Sequence, residues 1–184
     1  FIAPDGSEII PRRRFRYDTL IISVGSTIND FGIKGASENA IALDNQKQAQ
    51  KFHQKLHNAI LKAQTQKDEI RNGQLEVVIV GAGATGVELA AELHKATREM
   101  TAYGLDKINP DKDIKISLIE ASERLLPALP ERMSSSVDRE LKKLNVNLYL
   151  GERVINVSNQ GVKTHTGRFI PSALVVWAAG IKAP

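Results

Sequence analysis

The sequence predicts an α/β fold: a parallel sheet built from strand–helix–strand units, with an antiparallel β-meander attached. Three observations carry this. Short apolar runs, Leu75 to Val80 and Ile114 to Ile119, alternate with longer segments whose apolar residues recur at three-and-four spacing. That alternation is the order of a parallel sheet with crossover helices. Further on, Arg153 to Val157 and Val162 to His165 alternate across Asn159-Gln160-Gly161, the pattern of an antiparallel hairpin. A chain of 184 residues, 42% hydrophobic, can bury a core and suits one domain, or one domain and part of another.

The elements follow in order. Asp5-Gly6 reads as a turn before Ser7 to Pro11, and the run Thr19 to Val24 as a buried strand ending at Gly25. Asp44 is placed to cap a helix with Ala49, Phe52, Leu56, Ala59, Ile60 and Ala63 on its apolar stripe. Lys67 to Gly73 ends that helix and turns the chain into the strand Leu75 to Val80. A helix from Gly86 to about Met100 is expected, then an exposed excursion over Gly104 to Asp113 and the strand at Ile114. Met133, Val137, Leu141 and Leu144 mark another helix, and Val146 to Leu150 another strand. Thr166-Gly167, Arg168 to Pro171 and Leu174 to Trp177, closing at Gly180, repeat the order of the first 26 residues. We read the two copies as a duplicated device rather than two unrelated strands. The chain opens at Phe1 without Met or a leader pattern and stops soon after an apolar run, so a piece of a longer protein is expected.

Several classes of chemistry are excluded within this segment. With no cysteine there is no disulfide, thiolate metal site or cysteine nucleophile. No run approaches about 18 apolar residues, so no membrane span is expected. A net charge of +4 on 25 basic and 21 acidic residues does not indicate nucleic acid.

The strong chemical signal is Gly81-Ala82-Gly83-Ala84-Thr85-Gly86, a GxGxxG placed directly after a strand and before a helix. Gly81 makes the tight turn, Gly83 lets a pyrophosphate approach the backbone, and Gly86 allows helix and strand to pack closely. The phosphates then face free N–H groups at the positive end of the helix dipole. This makes the unit a Rossmann-like dinucleotide site. Glu120, at the tip of the next strand, is placed to accept hydrogen bonds from the adenosine ribose hydroxyls, which favours NAD over NADP. It lies 34 residues past Gly86, against the usual ~20, and the Gly104 to Asp113 excursion accounts for the excess. Ala121 adjoins it, and Arg124 is near enough to serve a 2′-phosphate instead. Glu88 either complements the helix dipole or faces the nicotinamide; position alone leaves both open. His53 and His57 lack a third ligand and are read as a solvated pair, Arg12 to Arg16 as a solvated basic run, and no metal site is expected. His94 and His165 have no evident partner.

The chain also resembles a known family. Tyr17-Asp18-Thr19-Leu20-Ile21-Ile22-Ser23-Val24-Gly25-Ser26 is similar to a strand of two-dinucleotide flavoprotein disulfide reductases. Gly81 to Leu93, and Val175-Val176-Trp177-Ala178-Ala179-Gly180-Ile181-Lys182-Ala183, are similar to motifs of type II NADH dehydrogenases. The resemblance implies an FAD domain split by an NADH domain. Residues 1–40 would end a first FAD segment with its linker, 41–173 would bind NADH, and 174–184 would return to the FAD domain. It implies hydride transfer from NADH to FAD and on to a quinone, without proton pumping. By matching position, Gly81, Ala82, Gly83, Ala84, Thr85 and Gly86 would hold the pyrophosphate, Glu120, Ala121 and Arg124 the adenosine end, and Ala179 and Gly180 the cofactor path. Glu88 would take the catalytic position beside the nicotinamide, and Gly25 and Ser26 would lie on the FAD side. The intact protein is expected at the cytoplasmic face of the inner membrane, attached peripherally, with a homodimer possible in principle and no nucleic-acid partner. Since the family's other flavin motifs do not occur in these 184 residues, the segment alone is expected to be soluble, hold no flavin and turn over nothing. The alternatives are another FAD-dependent disulfide reductase-like oxidoreductase, or a non-catalytic NAD-binding, redox-sensing module.

Overall fold

The computed structural model describes residues 1–102 and 104–184. The elements run β1 (Thr27–Ile28), α1 (Ala36–Asn39), β2 (Ala40–Ala42), α2 (Gln46–Thr65), β3 (Glu76–Val80), α3 (Ala84–Ala102) and α4 (Pro110–Asp113). They continue through β4 (Lys115–Ile119), α5 (Glu131–Lys143), β5 (Asn147–Tyr149), β6 (Val154–Ser158), β7 (Gly161–Thr164), β8 (Phe169–Pro171), β9 (Leu174–Trp177) and β10 (Ile181–Lys182). Five strands form a parallel sheet in the order β2-β9-β3-β4-β5. The antiparallel sheet β6-β7-β8 and the pair β1-β10 are separate. The predicted combination of parallel sheet and antiparallel meander is therefore what forms.

All five residues of β3 are buried, so the sheet is covered on both faces. Alternation sorts them into two cores. Val77 and Ile79 point with Ile116, Leu118 and Val176 toward Phe52, Leu56 and Ile60 of α2, Ala90 and Leu93 of α3 and Leu141 of α5. Val78 and Val80 point the other way, with Ile119, Val175 and Trp177, onto Val154, Val157, Val162 and Ile170 of the meander. One layer of helices and one of antiparallel strands thus enclose the parallel sheet. The polar residues inside are paired: the Ser117 hydroxyl donates to Glu76 at 2.6 Å, and that of Ser172 to the Glu76 carbonyl at 2.8 Å.

Three expectations are corrected. The α2 cap is Asn45 rather than Asp44: Asn45 has the extended backbone of a cap, and its side chain accepts from the Gln48 N–H at 3.0 Å. Helix α3 starts at Ala84, inside the glycine turn, since Gly86 itself takes helical backbone. Leu174–Trp177 lies between β2 and β3 in the parallel sheet, while β10 pairs outside it with β1. The supposed duplicate breaks down too. Its second copy is buried, whereas Leu20 to Val24 forms no strand and exposes Ile21 by 84%, because no described residue pairs with it. The excursion is partly packed: Ile108 is buried, and Asn109 caps the short α4.

Candidate functional site

In a parallel sheet, ligands bind beyond the carboxyl ends of the strands, where neighbouring crossovers diverge. Here that point is the end of β3, flanked by β4 on one side and β9 on the other. The glycine turn occupies it. Gly81 has φ +103°, and a Cβ there would lie 2.7 Å from the Ala179 backbone. A Cβ on Gly86 would lie 1.9 Å from the Gly81 carbonyl oxygen, so helix and strand can close only around glycine. Above Gly83 there is nothing within 4 Å, which leaves the approach open for a bulky group. The Gly81 N–H donates to the Ile119 carbonyl at 2.8 Å and that of Ala82 to the Glu120 carboxylate at 2.8 Å. The N–H groups of Gly83, Ala84 and Thr85, at the start of the 19-residue α3, have no acceptor among the described residues. An anionic group fits there.

Glu120 stands directly over this turn. One carboxylate oxygen accepts from Ala82 and the other from the Ser122 N–H at 2.9 Å, so the side chain is fixed at the tip of β4. Each oxygen keeps a second lone pair, which suits a pair of hydroxyl donors. Beside it a cleft of about 700 Å³ opens between Gly81, Glu120, Ala121 and Ala179 and the segments 31–34 and 152–155. That volume is in the range of small-molecule sites.

The predicted residues do not all converge. Gly81, Glu120, Ala121 and Ala179 line one cleft. Glu88 is exposed on the second turn of α3, not the first, so the helix-dipole explanation for it weakens. The Arg124 guanidinium is turned away from Glu120: Nη1 donates to the Leu129 carbonyl at 2.7 Å and Nη2 to the Pro127 carbonyl at 2.6 Å. Nη1 also donates to Ser134 Oγ at 2.8 Å, so both terminal nitrogens bond within the segment from Leu126 to Ser134. Gly180 is exposed and lies against the Phe31 ring, which lines the cleft, while Gly25 and Ser26 are exposed and outside it. The rings of His53 and His57 stack at 6.5 Å, and no group of three metal-ligating side chains occurs among the described residues.

Sequence reasoning missed Phe31 to Lys34 and Glu152 to Ile155. The second segment was within reach, since it follows the end of β5 on the ligand side of the sheet. The first carried no signal; Phe31 takes φ +53° on an Asx turn made by Asn29. Glu152 is buried, and its carboxyl is held below the usual carboxylate range by the hydroxyls of Thr164 and Thr166 and by Arg168. Thr166 donates to it at 2.8 Å and Arg168 at 3.2 Å. His94 is pushed down by burial and by Arg98, and His165 accepts from the Arg153 N–H at 3.2 Å.

A model of the pyridine nucleotide-disulphide oxidoreductase family matches residues 9–184. The chain belongs to that family. It is 39% identical, over 97% of its length, to the type II NADH:quinone oxidoreductase of Haemophilus influenzae, covering 43% of that protein. To the external alternative NAD(P)H-ubiquinone oxidoreductase B1 of Arabidopsis thaliana mitochondria it is 34% identical over 90% of its length, covering 30%. The structure of NDH2 from Plasmodium falciparum in complex with NADH matches the whole chain with TM-score 0.79 at 27% identity, the chain covering 38% of it. The chain thus spans less than half the length of these relatives.

Proposed function

We propose that this chain is the NADH-binding part of a flavin-dependent NADH:quinone oxidoreductase of type II. The observation that carries the reading is the Gly81–Gly86 turn with Glu120 bonded over it, in a chain whose relatives bear that name. In this reading the pyrophosphate lies on the open side of Gly83 and receives the N–H groups of Gly83, Ala84 and Thr85, aided by the helix dipole. Glu120 accepts the two adenosine ribose hydroxyls on its remaining lone pairs. A 2′-phosphate would set like charges against each other there, so NADH is favoured over NADPH.

Glu88 is assigned to the nicotinamide end, with Ala179 and Gly180 along the path to the flavin and Gly25 and Ser26 on the flavin side. FAD, when bound, supplies the chemistry by accepting the NADH hydride and passing two electrons to a quinone, which takes up two protons to become quinol. The described residues contain one dinucleotide turn, assigned here to NADH, so the task of this chain is to bind and orient that nucleotide. For the whole protein the reading includes peripheral attachment at the cytoplasmic face of the inner membrane and a homodimer. Among the described residues no helix is long and apolar enough to cross a membrane.

The test is a calorimetric titration with NADH and NADPH, beside Glu120→Ala. Tighter binding of NADH, with the preference lost in the variant, is the expected result. Binding of neither nucleotide by the intact protein would refute the reading.

A further inference from the structure

We infer that Arg124 is a positioning residue of the nucleotide site, bracing the β4–α5 connection so that this connection grips both sides of the Ala82 peptide unit. The inference rests on the nucleotide reading above and adds to it a residue that touches no ligand. Ala82, the second residue of the glycine turn, is fully buried, and both of its backbone polar groups are held by residues 120–126. Its N–H donates to Glu120 at 2.8 Å, and its carbonyl accepts from the Leu126 N–H at 2.9 Å. The turn is thus fixed at one end by the ribose-binding carboxylate and at the other by a loop residue.

Leu126 reaches that carbonyl with φ +48°, a left-handed backbone that a leucine adopts only under constraint. Arg124 supplies the constraint. Its Nη1 donates to the Leu129 carbonyl at 2.7 Å, to Ser134 Oγ at 2.8 Å and, more weakly, to the Leu126 carbonyl at 3.5 Å. Its Nη2 donates to the Pro127 carbonyl at 2.6 Å. Ser134, buried in the first turn of α5, passes its own proton to the Leu125 carbonyl at 2.6 Å, and Leu125 is fully buried. One guanidinium and one hydroxyl therefore bind the carbonyls of Leu125, Leu126, Pro127 and Leu129. A planar fork can span this fan of acceptors; an ammonium cannot.

The test compares Arg124→Gln, Arg124→Lys and Ser134→Ala in the intact protein by two readouts. Amide hydrogen exchange without nucleotide reads the brace itself. Exchange at Ala82 and Leu126 is expected to accelerate by about tenfold or more, the loss of one charge-assisted hydrogen bond, with the amides of β3 and β9 unchanged. Nucleotide titration reads its consequence: the Kd for NADH and for NADPH should rise by the same factor, about tenfold, leaving their ratio intact. In turnover the KM for NADH should rise while kcat holds.

Unchanged exchange at Ala82 and Leu126 would overturn the inference. So would exchange that accelerates evenly through the sheet, which would make Arg124 a general stabiliser. A loss confined to NADPH would make it a 2′-phosphate ligand instead. Should the wild-type protein bind neither nucleotide, the nucleotide reading fails, and the exchange measurement alone decides the brace. Ser134→Ala keeps the guanidinium and so stands in if the Arg124 variants do not fold.

Discussion

Two glycines of one motif should fail in opposite ways. A methyl group on Gly83 meets nothing within 4 Å, so Gly83→Ala should leave stability within about 0.5 kcal/mol of wild type. On the proposed nucleotide reading the same methyl stands where the pyrophosphate approaches, so the NADH Kd should rise by about tenfold or more. A methyl on Gly86 lies 1.9 Å from the Gly81 carbonyl oxygen, so Gly86→Ala must push helix and strand apart. That overpacking costs about 1–3 kcal/mol, a fall in Tm of about 2–4 °C for each kcal/mol. Thermal melts beside an NADH titration check both, and a Gly83→Ala protein that binds NADH normally would remove the pyrophosphate from this turn. The close approaches at Gly81 and Gly86 could be read from spacing alone, because GxGxxG encodes where a Cβ cannot be. The direction of Arg124 could not, since its acceptors are the carbonyls of a loop whose shape depends on what packs beneath it.

At the level of elements, the helices and strands rest on burial more than on local preference. Leu118, the fourth of the five residues of β4, has no exposure, so Leu118→Ala should cost about 2–5 kcal/mol by transfer and cavity terms together, measured by urea unfolding. Asn45→Ala removes only the cap of α2 and should cost about 1 kcal/mol. Equal losses for the two would contradict the assignment of β4 to the core. These elements were legible because periodicity reports the face a segment buries: Phe52, Leu56, Ile60 and Ala63 form the predicted stripe on α2. The three-residue β2 was not foreseen, because Ala40–Ala42 is too short to show a period and becomes a strand only by pairing with β9. Thr19 to Val24 shows the converse: an apolar, β-branched run makes a strand only when a neighbour completes its ladder.

For the whole molecule, the meander is joined to the ligand end of the sheet through Glu152. Its N–H donates to the Glu120 carbonyl at 2.9 Å, and its carboxylate receives Thr166 and Arg168. A carboxyl whose pKa is lower in the folded state than in the unfolded chain binds fewer protons when folded. Its contribution is complete above the ordinary value of 4.5 and is lost as pH falls through the lowered folded value. The Tm should therefore drop on acidification below about 4.5, and Glu152→Gln should flatten that part of the profile. An identical profile in the variant would show that Glu152 is not the group responsible. Trp177 acts at the same scale: its indole N–H donates to the carbonyls of Asn29 at 3.0 Å and Ala179 at 2.9 Å, joining the segment that follows β1 to the one that precedes β10.

By itself, the sequence determined the fold class, the glycine turn, its helix and the acid at the tip of the next strand. Each depends on properties written locally: period of burial, absence of a Cβ, and the order of strand, turn and helix. Only the tertiary structure decided that Leu174–Trp177 enters the sheet beside β3, that segments 31–34 and 152–155 complete the cleft, and that Arg124 faces its own loop. Those outcomes depend on which distant backbone groups are left for a strand or a guanidinium to satisfy, and no local pattern records that.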